Sequence, residues 1–268
     1  VIDLHIHILP GVDDGPADMA ASVELARACV ADGIAEVAAT PHVSERYFTS
    51  PSTIERGLAD LRAALEQADV DLEIHSGAEV AIDRLEHLSD ADIRALTLGG
   101  GSHILLETPY VAWPIDLERH TTRLAGLGIR AVLAHPERSA GVQAAGGIER
   151  LAAVSARGVL VQVTAGSLTG GFGRRARRTA RELLERELVQ MIAGDAHDAQ
   201  QRAPRMRGAA EAVGDAELAR WLTTEVPHAV LTGERLPPRP PARPRKAGGG
   251  LRARIARANG SGGSWRRP

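Results

Sequence analysis

A short apolar run, a polar residue at its end, and then a stretch of helically spaced apolar residues recur about seven times along this 268-residue chain. The runs predict strands at 1–5, 34–39, 72–76, 103–106, 130–134, 159–163 and 188–193. Helical spacing predicts helices at 19–31, 54–68, 116–127, 147–156 and 176–187. Gly33, Gly128 and Gly158 each stand between a helix and the following strand, where a left-handed C-cap is needed. A repeated βα order predicts an α/β fold with a parallel sheet. An open doubly wound sheet would string the strand-end polar residues along one edge. A closed seven-stranded (β/α)7 barrel of TIM-barrel type gathers them on one rim, and is the architecture expected.

Composition narrows the function. The chain is 44% hydrophobic but only 3% aromatic. Its core must therefore come from Leu, Ile, Val and Ala, and no aromatic platform for nucleic acid is expected. Residues 237–268 hold nine basic groups and no acidic one, leaving 23 basic against 34 acidic groups, a net charge of −11, in residues 1–236. A body so acidic does not suit a general nucleic-acid binder, but it attracts cations. Of the 32 basic residues 31 are arginine. Coding bias accounts for that choice, and an arginine-based recognition surface is the alternative. Residues 1–236 are expected to form one catalytic domain. The Pro/Gly/Arg-rich segment 237–268 is expected to be a disordered tail, with an acidic partner or a membrane surface as its other use. Cys29 is the sole cysteine and lies in a helical pattern, so it reads as a core residue. Neither an 18-residue apolar stretch nor a signal-peptide pattern is present, which sets the expectation of a cytoplasmic protein.

The chemistry sits at the strand ends. In DLHIHILPGVDDG, His5 and His7 point to one face of a strand, with Asp13 and Asp14 just beyond. VAATPHV then supplies His42, HSGAEV Glu79, ILLETPY Glu107, VLAHPER His135, and IAGDAHD both Asp195 and His197. Any one of these could be a satisfied polar residue or a helix cap. Together on one rim they would repel or desolvate one another without cations. Nitrogen and oxygen donors suit Zn, Mn or Fe, and nine of them, counting one of the two loop aspartates, suit two or three ions sharing carboxylates. Water bound to such ions loses a proton near neutral pH and becomes a nucleophile. Arg138 and Arg202 follow the fifth and seventh strand ends. Their guanidinium forks match phosphate oxygens, although either could be a surface salt bridge. His75 is expected behind the ligands, whereas His87, His103, His120 and His228 read as structural or exposed. The glycine-rich stretch 163–173 lacks a P-loop ending and is expected to bring Ser167 or Thr169 to the rim. There is no GxSxG elbow and no cysteine–loop–arginine arrangement, so water is the economical nucleophile.

Taken in order, VIDLHIHILPGVDDG, ATPH, GAEV, LLE, AHPER, QVTAGSLTGGFG and GDAH resemble the polymerase and histidinol phosphatase (PHP) superfamily over about residues 1–236. Within it, the chain is similar to the bacterial manganese-dependent protein-tyrosine phosphatases of capsular and exopolysaccharide biosynthesis. The resemblance implies a distorted seven-stranded barrel with three Mn2+ ions, the same donors also accepting Zn2+ or Fe. His5, His7, Glu79 and Asp195 would hold one ion. Glu79 would bridge to a second, held with Glu107 and His135; Asp14, in preference to Asp13, would hold a third with His42 and His197. Arg138 and Arg202 would contact phosphate. The implied substrate is the phosphotyrosine-containing tail of a membrane-associated bacterial tyrosine kinase. Two alternatives stay open: a PHP phosphoesterase acting on a small metabolite such as histidinol phosphate, and a metal-retaining regulatory protein without turnover.

Overall fold

The computed structural model describes residues 1–241. Nine short strands run through it: β1 (Ile2–Ile6), β2 (Glu36–Ala39), β3 (His42–Val43), β4 (Glu73–His75), β5 (Glu79–Ala81), β6 (His103–Glu107), β7 (Arg130–Ala134), β8 (Leu160–Thr164) and β9 (Met191–Ala193). All pairings between them are parallel, as the βα order requires. The closed seven-stranded barrel is not what forms. The strands make a three-stranded sheet, β1-β2-β4, and a six-stranded sheet, β3-β5-β6-β7-β8-β9.

The two extra strands, β3 and β5, lie just beyond the second and third expected strands. After β2 comes Thr40-Pro41, and proline has no N–H for a continuing ladder. The chain steps across, and Pro41 O accepts from Glu79 N at 3.1 Å. After β4, Gly77 passes so close to its neighbours that a Cβ there would lie 3.0 Å from Leu98 Cδ2 and 3.2 Å from Thr40 Cγ2. The ladders do not close on the other side either. The end of β1 meets the loop after β9 through the isolated bridge Ile6–Ala196, with Asp195 N donating to His5 O at 2.7 Å and His7 N to Ala196 O at 2.9 Å.

Helices cover the sheets: α1 (Met19–Ala31), α2 (Pro51–Gln67), α3 (Asp90–Ala95), α4 (Leu117–Gly126), α5 (Ala140–Gln143), α6 (Gly147–Ser155), α7 (Ala165–Thr169) and α8 (Gly173–Glu185), with shorter helices between Met206 and Thr232. In α2 the Ser50 side chain caps Thr53 N, and Ile54, Leu58, Leu61 and Leu65 form the buried stripe that the spacing predicts. Each such side chain contributes about 1.5–3 kcal/mol when withdrawn from water. Cys29 is fully buried beside Leu25 on α1, and Gly33, Gly128 and Gly158 have φ of 87°, 74° and 94°.

No helix among the described residues is long and apolar enough to cross a membrane. The Pro/Gly/Arg-rich segment begins packed against the body: Trp221 Nε1 donates to Pro237 O at 3.1 Å, and Arg239 Nη1 donates to Val189 O at 2.8 Å. The rest of that segment, 242–268, including the short basic stretch after its glycines, lies outside the described residues.

Candidate metal centre

Every candidate ligand lies at a strand terminus or in the loop that follows a strand. His5 lies on β1 and His7 just after it; His42 opens β3, Glu79 opens β5 and Glu107 closes β6. His135 follows β7, and Asp195 and His197 follow β9. Glu79 is the hub. Its Oε2 lies 3.3 Å from both His5 Nε2 and His7 Nε2 and 3.1 Å from His42 Nδ1, while its Oε1 lies 2.8 Å from His135 Nε2. Asp195 Oδ1 is 3.5 Å from His5 Nε2, and Glu107 Oε2 is 3.9 Å from His42 Nδ1. Asp14 Oδ1 sits 3.4 Å from His42 Nε2 and 3.3 Å from His197 Nε2. The nine donors fall into overlapping groups whose ligand atoms lie within 4.8 Å of one another: His5/His7/Asp195, His5/Glu79/His135, His42/Glu79/Glu107 and His7/Asp14/His42/His197.

This set fits cations better than it fits a hydrogen-bond network. Glu79 Oε2 and His197 Nε2 are buried without a hydrogen-bond partner. His5 Nε2 and His7 Nε2 face each other at 3.3 Å. Orphaned buried acceptors of this kind are rare in proteins unless something else fills the space. The back of each ring is held. His5 Nδ1 donates to Gln162 Oε1 at 3.0 Å and His7 Nδ1 to Asp13 Oδ2 at 2.7 Å, which turns both Nε2 atoms inward. Asp13 also accepts from His42 N at 2.9 Å and Gly15 N at 3.0 Å. The two neighbouring aspartates are thus divided: Asp13 braces the histidines from behind, and Asp14 faces the cluster.

Electrostatics follow from burial and from the crowding of these donors. Burial disfavours the charged form of His7, but the Asp13 hydrogen bond and the close Asp13 and Glu79 carboxylates outweigh it and lift its pKa to about 10. Glu79 and Asp195 are held well below the ordinary carboxylate range, the neighbouring histidines overcoming burial. Burial and the nearby Glu79 charge push Glu107 up to about 7, while burial and Arg138 push His135 down to about 4. Two of the donors stand on left-handed backbone, His135 at φ 34° and Asp195 at φ 51°. Such residues are uncommon outside glycine and cost about 1–3 kcal/mol each, and they concentrate at functional sites. Asp3, fully buried, helps hold the Asp195 turn: its Oδ1 accepts from Gly194 N at 2.9 Å and His5 N at 3.2 Å. A Cβ at Gly194 would lie 2.4 Å from Asp3 Oδ2.

Both sequence-singled arginines reach the cluster. Arg138 Nη1 donates to Asp195 Oδ2 and Nη2 to the Tyr110 hydroxyl at 2.8 Å, with its guanidinium 4.3 Å from the Phe172 ring centroid. Arg202 Nη2 donates to Asp195 Oδ1 at 3.2 Å. Between them opens a cleft of about 340 Å³. Two of its walls were not found from the sequence. Tyr47 stacks on His42 and Tyr110 on His135, each with centroids 5.6 Å apart and planes within 9°. They are the chain's only tyrosines, and their closeness in sequence to His42 and Glu107 was the available signal.

Two expectations are corrected. Ser167 does not face the rim: its hydroxyl donates to the buried Glu137 Oε1 at 2.6 Å, where Thr164 N also donates at 3.1 Å. Thr169 likewise turns back, donating to Ala165 O. His75 lies away from the cluster, pairing with Glu36 Oε2 at 3.1 Å across the three-stranded sheet. His103 and His120 are buried, and His87 and His228 are exposed.

The sequence matches the family described as "Capsular polysaccharide synthesis, CpsB/CapC" over residues 1–231. It is 34% identical over 203 residues to the tyrosine-protein phosphatase YwqE of Bacillus subtilis (strain 168), covering 75% of this chain and 79% of that one. Against the tyrosine-protein phosphatase CpsB of Streptococcus pneumoniae it is 28% identical over 217 residues, covering 78% and 88%. The fold superimposes with a TM-score of 0.79 and 32% identity on a structure from a study of YwqE of Bacillus subtilis and CpsB of Streptococcus pneumoniae, which that study describes as metal-dependent tyrosine phosphatases. That match covers 91% of this chain and all of the other.

Proposed function

The chain belongs to the capsular polysaccharide synthesis CpsB/CapC family, and from that premise we propose that it is a metal-dependent protein-tyrosine phosphatase serving capsular or exopolysaccharide biosynthesis. The observation that carries the reading is the convergence of nine nitrogen and oxygen donors around Glu79, with buried acceptors left unpartnered. His5, His7, Glu79 and Asp195 would hold one ion, Glu79 with Glu107 and His135 a second, and Asp14, His42 and His197 a third. Manganese is the resident metal of this reading, and the donor set also accepts zinc or iron. Bound cations would supply Lewis-acid charge and acidify water for attack on phosphorus.

The chain's own residues do the rest. Arg138 and Arg202 hold the phosphoryl oxygens by charge-assisted hydrogen bonds. Tyr110 steadies Arg138 through its hydroxyl. No cysteinyl-phosphate intermediate is involved: Cys29 is buried in the core, and burial pushes its thiol well above the usual range. The substrate is the phosphotyrosine-containing tail of a membrane-associated bacterial tyrosine kinase, met in the cytoplasm. Residues 1–236 are the phosphatase domain, and 237–268 an appendage to it.

The test compares one metal-loaded preparation on a phosphotyrosine peptide, a phosphoserine peptide and histidinol phosphate. Fastest turnover of the phosphotyrosine peptide is expected. Equal or faster turnover of histidinol phosphate overturns the substrate class. Retained metal with no turnover of any of them overturns the reading of the chain as an enzyme.

A further inference from the structure

Helix α8 carries Arg174, Arg177, Arg178 and Arg181 at i, i+3, i+4 and i+7, a spacing that places them on one face. All four are exposed, as is Arg175 beside them. None of their guanidinium groups makes an ion pair or hydrogen bond among the described residues, whereas Glu182 is taken by Arg186. Coding bias explains arginine in place of lysine, but it does not explain a stripe. Helix stability does not explain it either. The first turn of α8 holds no acidic residue, and cations crowd the end where the helix dipole disfavours them.

The head of the stripe lies near the cleft. A Cβ at Gly170 would lie 3.8 Å from Arg177 Nη1, and one at Gly171 would lie 3.3 Å from Arg205 Nη1. Arg205 shares a small recess with Arg202 and Asp195, both of which also line the cleft. Phe172, at the head of α8, packs on Arg138. A basic track therefore leads from the phosphate-holding arginines out along α8, on a domain whose net charge is −11.

We propose that this track is a docking surface for an acidic peptide segment flanking the phosphorylated residue of the substrate. The inference rests on the phosphatase reading above. From Arg174 to Arg181 the helix rises roughly 10 Å, the span of about three extended residues. A lipid surface is the weaker occupant. Among the described residues, Phe172 is the one exposed large apolar side chain that α8 or its N-cap carries, and the stripe leads towards the cleft.

The experiment uses the full metal-loaded chain and the variant Arg174→Glu/Arg177→Glu/Arg178→Glu. All three positions are exposed, and Arg174 lies in the first turn where the dipole favours an acid, so folding should survive. Turnover of para-nitrophenyl phosphate reports that the site is intact. The wild type should prefer a phosphotyrosine peptide with acidic flanks over one with neutral flanks, and lose the preference at high salt. In the variant, KM for the acidic peptide should rise about ten-fold or more, with kcat, the neutral peptide and the aryl phosphate unchanged. Absence of any preference in the wild type, or equal loss on both peptides, overturns the proposal. Unchanged peptide kinetics with lost sedimentation on phosphatidylserine vesicles also overturns it, in favour of lipid. Salt-sensitive, stripe-dependent binding of the acidic peptide by fluorescence anisotropy, without hydrolysis of any substrate, would sink the phosphatase reading and leave the docking surface standing.

Discussion

Asp13 Oδ2 lies 2.7 Å from His7 Nδ1, behind the ring, while the Nε2 of the same histidine faces Glu79. Asp14, one residue later, faces His42 and His197 instead. The two carboxylates should therefore fail differently. Asp13→Asn should weaken metal affinity about 10–100-fold and recover activity when excess metal is supplied, as loss of a supporting partner does. Asp14→Ala should lose activity that added metal restores poorly. Calorimetric metal titration alongside activity decides it, and an Asp13→Asn chain that binds metal like the wild type would refute the bracing role.

Chelation bears on the cluster as a whole. At metal concentrations near 100 times Kd, binding adds about 2.7 kcal/mol to stability. For a domain of this size that corresponds to roughly 5–10 °C in Tm. Removing metal should abolish turnover and lower Tm by several degrees, and Glu79→Ala should abolish most of that stabilisation. A chelator-insensitive Tm would count against a metal held by these donors.

Tyr110 couples the aromatic wall of the cleft to Arg138. A hydrogen bond of this kind contributes about 1 kcal/mol, so Tyr110→Phe should raise KM for a phosphotyrosine peptide roughly five-fold. Tyr47→Ala should reduce the preference for aryl over alkyl phosphates, because it removes the ring stacked on His42. Steady-state kinetics on both substrate classes checks this. Equal losses on aryl and alkyl phosphate would remove Tyr47 from any role in specificity.

Glu137 offers a test of pH dependence. Burial is the largest influence on it and pushes its pKa up to about 7 from an ordinary 4.5, despite the Ser167 and Thr164 hydrogen bonds. A carboxyl raised in the folded state favours folding fully below its unfolded pKa, and that contribution is lost as pH rises through the folded one. The metal-free chain should therefore lose this share of stability between about pH 4.5 and 7. Glu137→Gln keeps an acceptor for Ser167 and should flatten the dependence, being more stable than the wild type at pH 8. Thermal unfolding at several pH values gives the answer, and parallel curves for the two chains would contradict it.

Much of the architecture is written locally. The spacing of Ile54, Leu58, Leu61 and Leu65, the cap at Ser50 and the glycines at 33, 128 and 158 concern neighbours in sequence. They determined the helices, the parallel βα order and the donors at the strand ends. Tertiary structure alone decided how the strands pair. Pro41 and Gly77 stand just after the second and third expected strands, and an additional short strand forms beyond each, so the described residues make nine strands in two sheets instead of a closed ring of seven. Long-range contact also decided what each polar residue does. Ser167 meets Glu137 from thirty positions away, and Asp3 holds the Asp195 turn from 191 residues off, at Gly194. The left-handed backbone at His135 and Asp195 persists because such distant partners hold it, against local preferences that favour other conformations. The sequence determined which residues carry the chemistry; which atom of each faces the cleft depends on packing between segments that no local pattern records.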